Sequence, residues 1–99
     1  MQIKYKNKKL EKSCTIASNT IRTYGTIMGE KIHMRIDELK AADSVEMMIQ
    51  YNIGRCHLLH GNRKGQYALD LIHPTRLIFT VDKTGMVEIA EIIEIVDYH

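Results

Sequence analysis

The 99-residue sequence has little cysteine, a single proline and no long apolar run. Each shortage excludes something. Two cysteines, Cys14 and Cys56, cannot build a disulfide framework, and there is no C-x-x-C pair of the kind that holds structural zinc. The thiols are therefore expected to be reduced, and the chain reads as cytoplasmic. Cys14 reads as a small apolar residue on a helix face and Cys56 as a strand residue; neither is assigned a nucleophilic role. No apolar run could span a bilayer and no secretory signal is recognisable, so no membrane partner is expected. Repeats, low-complexity tracts and linkers are missing too, so residues 1–99 are read as one domain, with 44% apolar residues to fill one core.

Net charge is also scarce. The formal value of +2 is too mild to mark a nucleic-acid binder. Its distribution says more. Lys4, Lys6, Lys8, Lys9 and Lys12 face only Glu11 in the first segment, and Arg55, Arg63, Lys64 and Arg76 face only Asp70 in the middle. Toward the end Lys83 is outnumbered by Asp82, Glu88, Glu91, Glu94 and Asp97. Such blocks suit either solvated faces or a phosphate-bearing partner beside acidic groups.

The chain reads as a helical first half and a stranded second half. "QIKYK" alternates like a short strand. Asn7 can cap a helix through "KKLEKSC", with Leu10 and Cys14 facing inward. "TIASNTIRTY" reads as a second helix ending at Gly25, in the left-handed position beyond its last turn. Thr26 is expected to cap the longest helix, "IMGEKIHMRIDELKAA", with Met28, Ile32, Ile36 and Leu39 on one face and His33 and Arg35 off it. Ser44 can cap "VEMMIQ".

After Gly54, "RCHLL", "QYALDLI", "TRLIFTV" and "VEIAEIIEIV" read as strands, joined by short turns that favour antiparallel neighbours. In the last, Glu88, Glu91 and Glu94 are spaced as on a helix, but the Ile/Val density favours a strand. Tyr67, Leu69, Leu71, Leu77, Phe79 and Val81 form the expected core face of the sheet. The other face would carry Gln66, Asp70, Arg76 and Thr80, polar and open to a ligand. The expected architecture is α+β, with helices packed on one face of a mainly antiparallel sheet.

Five histidines stand out. His33 reads as a solvated helix residue, and His73, before Pro74, as part of an extended turn. His57 and His60 form H-x-x-H, but residues three apart on a strand point to opposite faces, so no zinc site is expected. If the strands pair, their ends can bring His57, the "GNRKG" turn, Arg76, Asp97, Tyr98 and His99 together. Two imidazoles, a carboxylate, a phenol and cations, without metal or cofactor, are what RNA cleavage by internal attack needs. One group takes the 2′-OH proton, one protonates the leaving 5′-oxygen, and cations stabilise the pentacovalent phosphate.

The blocks "KNKKLEK", "RCHLLHGNRKGQYALDLIHPTRLIF" and "EIVDYH" resemble, in order and separation, the HigB-type branch of the RelE/ParE toxin superfamily. The resemblance implies a compact RelE-like fold and the toxin of a type II toxin-antitoxin pair. Such a toxin enters the ribosomal A site and cuts mRNA. It implies as partner a HigA-type helix-turn-helix antitoxin that neutralises the toxin and represses their operon, so operator DNA is reached only through the antitoxin. His57 matches the family's first catalytic histidine, and Asp97, Tyr98 and His99 its catalytic trio. Tyr98 could stack on a base. His60 falls where relatives often carry lysine, replacing a permanent cation by a titratable one, and Asn62 replaces a turn aspartate. Arg63 and Arg76 match basic positions near RNA phosphate. Lys8, Lys9, Lys12 and Lys64 complete the expected RNA-contacting set as the densest cations of the chain. The rival readings are a ParE-like gyrase inhibitor and a nucleic-acid-binding module without activity.

Overall fold

In the computed structural model, residues 1–97 are described; Tyr98 and His99, two of the candidate site residues, lie outside them. The elements run β1 (Gln2–Tyr5), α1 (Lys8–Thr15), α2 (Ala17–Tyr24), α3 (Thr26–Ala41), α4 (Val45–Gln50), β2 (His57–Leu58), β3 (Tyr67–Asp70), β4 (Thr75–Asp82) and β5 (Ile89–Asp97). One-turn 3₁₀ segments, Ile53–Arg55 and Gly61–Arg63, flank β2.

Local chemistry sets the helix ends. Asn7 accepts the Leu10 amide at 2.9 Å, and Ser44 the Met47 amide at 3.1 Å, so two expected caps are in place. Two junctions differ from expectation. Ile16 closes α1 and opens α2, which therefore begins at Ala17 rather than Thr15. Gly25, not Thr26, precedes the long helix. Its φ of 84° and ψ of 167° differ from a left-handed helical cap, yet its amide still reaches the Ile21 carbonyl at 2.8 Å. Only glycine takes that conformation freely, and it lets one residue end α2 and start α3.

The five strands form one sheet in the order β1-β5-β4-β3-β2. β2 through β5 pair antiparallel along the chain, as the short turns predict, and β1 joins β5 in parallel. The ambiguous last segment is a strand, because it lies between two partners and buries Ala90 and Ile92 completely. β2 is much shorter than "RCHLL" suggests: Arg55 has a φ of 50°, and the turn before it consumes the segment.

Helices cover one face of the sheet. Ile32, Ile36, Leu39, Val45, Met48 and Cys14 pack on Leu69, Leu71, Leu77, Phe79, Ala90 and Ile92, with Tyr67 and Val81 at the margin. Phe79 is fully buried and stacks on Tyr67 with ring centroids 5.5 Å apart. At the end of α3 the Met1 ammonium donates to the carbonyls of Leu39, Lys40 and Ala42, where the helix dipole favours a cation.

The opposite face carries Gln66, Asp70, Arg76 and Thr80 as expected, but it is not polar throughout. Leu59, Ala68 and Ile78 are buried there, with Ile93 and Val96 against them. Strand alternation requires this, since Ala68 lies between Gln66 and Asp70, and Ile78 between Arg76 and Thr80. The loop carrying Leu59 closes over them through a Leu59 amide bond to the Gln66 carbonyl at 2.8 Å. Truncation should expose this second cluster. Ile78→Ala is expected to cost about 2–5 kcal/mol, read as a lower urea midpoint at unchanged slope. A loss well below about 1 kcal/mol would mean that the cluster is not a core.

Candidate functional site

The site is built on the helix-free face. His57 lies opposite Ala68 on β3, and Asp70, two residues along β3, lies opposite Arg76 on β4. The period of two puts His57, Asp70 and Arg76 on one face. The pleat continues to β5, where Glu94 lies opposite Ile78 and Val96 opposite Arg76.

His57 is half-buried, and its Nδ1 lies 2.7 Å from the Arg55 carbonyl. A carbonyl only accepts, so Nδ1 carries the hydrogen and Nε2 keeps the lone pair of the neutral ring. This bond depends on the turn before β2. Asn52, Gly54 and Arg55 all have positive φ, at 52°, 59° and 50°. Two of them carry side chains, and such backbone concentrates at functional sites.

Arginines and carboxylates share this face with the histidine. Arg55 Nε meets Asp70 Oδ2 at 2.5 Å, and Arg76 Nε lies 3.4 Å from Oδ1. Arg35, expected only to lie off the apolar stripe of α3, donates from Nε to the Asp70 carbonyl at 2.7 Å and pairs with Glu38 at 2.8 Å. On the other flank Arg63 binds Glu94 at 2.6 Å and the Gln66 side chain at 3.0 Å. Each exposed pair is worth about 0–1 kcal/mol, so the network orients side chains more than it stabilises the fold.

The basic positions divide into two groups. Arg63 and Arg76 lie on the sheet face and Lys64 follows on the exposed turn. Lys8, Lys9 and Lys12 belong to α1. β1 pairs with β5 only from Ile89 to Ile92, and beyond it a groove of about 460 Å³ runs between the α1–α2 hairpin and residues Ile93, Glu94 and Ile95. Lys9 and Lys12 line it, as does Arg22, which sequence reasoning did not select. Glu94 lines the groove and also holds Arg63, so the two basic regions adjoin.

Asp97 sits at the same end of the sheet as Arg76 but opposite Thr75, whose hydroxyl donates to its carboxylate at 2.6 Å. Alternation therefore turns it away from the face that holds Arg76 and His57. Tyr98 and His99 lie outside the described residues. His60 is exposed at the start of the Gly61–Arg63 turn. His33, expected to be solvated, is half-buried with Nε2 3.2 Å from the Thr20 hydroxyl, because α2 packs against that side of α3.

Burial raises the Cys56 thiol to about 11 and also raises Cys14, so both stay protonated near neutrality. Among the described residues no group of three or more His, Cys, Asp or Glu is placed to hold a metal ion. No helix among them is long and apolar enough to cross a membrane.

This architecture occurs in solved structures. A YoeB/ParE toxin from Agrobacterium tumefaciens superposes with a TM-score of 0.66 at 16% identity, over 100% of both chains. A chain of the YoeB-YefM complex from Staphylococcus aureus gives 0.63 at 21% identity, covering 100% of this chain and 97% of that one. The YoeB dimer from the same organism gives 0.54 at 23% identity, with the same coverage. No family model matches the sequence, and no curated protein does. At these identities the likeness establishes the fold: an α+β RelE/YoeB-like fold of N-terminal helices on a five-stranded, mainly antiparallel sheet.

The turn before β2 offers a direct test. A Cβ on Gly54 would stand 3.0 Å from Arg35 Nε and 3.1 Å from Leu69 Cδ2, whereas one on Gly61 would meet nothing within 4 Å. Both glycines have positive φ. Gly61→Ala should therefore lose about 1 kcal/mol in urea unfolding, from backbone strain alone. Gly54→Ala should lose more, because Arg35 must also give way; equal losses would mean that Arg35 is not seated against this turn.

Proposed function

We propose that this protein is the toxin of a type II toxin-antitoxin pair, of the HigB-type branch of the RelE/ParE superfamily, and that it cleaves mRNA in the ribosomal A site. The observation that carries the reading is the His57 ring, held through Nδ1 by the Arg55 carbonyl on a face shared with Arg76 and Asp70. Neutral His57 presents Nε2 as a base for the ribose 2′-OH. The 2′-oxygen attacks phosphorus, the P–O5′ bond breaks, and a second group protonates the departing 5′-oxygen. The products are a 2′,3′-cyclic phosphate and a 5′-hydroxyl.

His99 is assigned the second proton transfer and Tyr98 stacking on a base, from the resemblance of the D-Y-H segment; Asp97, matched to the same trio but turned to the other face and bound by Thr75, is assigned the support of that segment. Arg76 and Arg63 offset phosphate charge, with His60 as an additional, titratable cation. Lys8, Lys9, Lys12 and Lys64 extend the positive surface toward ribosomal RNA. The chemistry assigned to these side chains calls on no cofactor. The partner is a helix-turn-helix antitoxin of the HigA type, and the site of action is the cytoplasm. A YoeB-YefM complex among the structural neighbours is consistent with control by an antitoxin.

In a reconstituted ribosome–mRNA assay His57→Gln should cut about 10²–10⁴ more slowly while keeping its circular dichroism spectrum. His99→Ala should behave alike, and the double variant should lose less than the product of the singles. Cleavage by both single variants at the wild-type rate would remove the assignment. Arrest with DNA-damage signals and intact mRNA would instead identify a gyrase inhibitor.

The basic surface gives a separate test. Neutralising Lys9 and Lys12 together should weaken ribosome binding and flatten its dependence on salt. Unchanged binding and slope would make these lysines a solvated face.

A further inference from the structure

Arg55 belongs to the middle basic block but not to the RNA-contacting set expected from the sequence, and three features converge on it. Its left-handed backbone aims its carbonyl at His57 Nδ1. Its side chain is held by Asp70 through Nε, the inner nitrogen of the guanidinium. That side chain remains 62% exposed and meets Asp70 through Nε, so its guanidinium is not enclosed. Arg35 binds the main-chain carbonyl of Asp70, and Arg76 Nε lies 3.4 Å from Oδ1, an ion-pair distance without a hydrogen bond.

A carboxylate between two arginines opposes the approach of a phosphate. Its presence at an anion site is useful only if orientation outweighs that repulsion. Nε-held arginine is suited to this, since its outer nitrogens match two oxygens of one phosphate. We infer that Arg55 is a phosphate ligand of this site and that Asp70 is its positioning residue. One strained turn thereby sets both the tautomer of His57 and the placement of the cation that meets the phosphate. The inference rests on the endoribonuclease reading for its catalytic consequence, but the anion contact can be tested without it.

Inorganic phosphate titrated into the ¹⁵N-labelled full chain should saturably shift the Arg55 Nε–H resonance and the His57 ring signals. Arg55→Ala should abolish the His57 response. Asp70→Asn removes the repelling charge, so phosphate should bind it equally well or more tightly. In the ribosome assay, however, its maximal rate should fall about tenfold or more with ribosome affinity little changed. Arg55→Ala should lose at least as much, and adding Asp70→Asn to it should cost little further. Arg55→Lys keeps the charge without the Nε contact and should recover only part of the rate.

A phosphate response confined to other residues overturns the inference, as does an Asp70→Asn variant that cuts as fast as wild type or faster. If wild type cuts ribosome-bound mRNA and Arg55→Ala cuts equally well, the clamp falls and the nuclease stands. If wild type does not cut while phosphate still moves Arg55 and His57, the nuclease reading falls and the anion site stands.

Discussion

One-sided burial of the sheet is the constraint on which the rest depends. α1, α3 and α4 cover the face of Leu69, Leu71, Leu77, Phe79, Ala90 and Ile92. Burying each large apolar side chain contributes about 1.5–3 kcal/mol. Because strand side chains alternate, fixing that face fixes the other: a slip of one residue would put Arg76 and Asp70 into the core and Leu77 and Leu69 into water. The register that buries Phe79 therefore also sets Asp70 opposite Arg76 and brings His57 beside them.

The outer face meets a second demand, to hold charge without helices above it. It does so with a small apolar patch, Leu59, Ala68 and Ile78, that anchors the loop between β2 and β3, with Asp70 set between two arginines and with Glu94 paired to Arg63. Asp70 ties β3 to α3 through Arg35, to the turn before β2 through Arg55, and to β4 through Arg76. Glu94 likewise ties β5 to the Arg63 turn and borders the groove under α1 and α2. Exposed ion pairs stabilise weakly, so their value here lies in holding cations on the face that carries His57.

The core was legible in the sequence because it obeys simple periods. Ile32, Ile36 and Leu39 on the long helix, and alternating residues in β3 and β4, all fall where the patterns put them. The last strand was legible from β-branched density despite glutamates at helical spacing. What could not be read was backbone of unusual sign. Gly25 taking the role expected of Thr26, and Arg55 in the left-handed region, leave no trace in apolar periodicity. The burial of Ile78 and Ala68 is masked in the sequence by polar neighbours two residues away, which suggest an open face. At the site, His57, Arg63 and Arg76 could be selected by type, but the bond that sets the tautomer of His57 comes from the main chain of Arg55. That contact depends on φ at residue 55, which side-chain chemistry does not encode.

The proposed chemistry requires that this face cut RNA presented by a ribosome. The most direct measurement maps the ends of a defined mRNA programmed into stalled ribosomes, with the same RNA free in solution alongside. Ribosome-dependent cleavage should leave new 5′-hydroxyl ends within the codon of the A site, moving with it when the stall is moved, and little or no cleavage of free RNA. Intact ribosome-bound mRNA, or equal cutting of free RNA at positions indifferent to the stall, would contradict it.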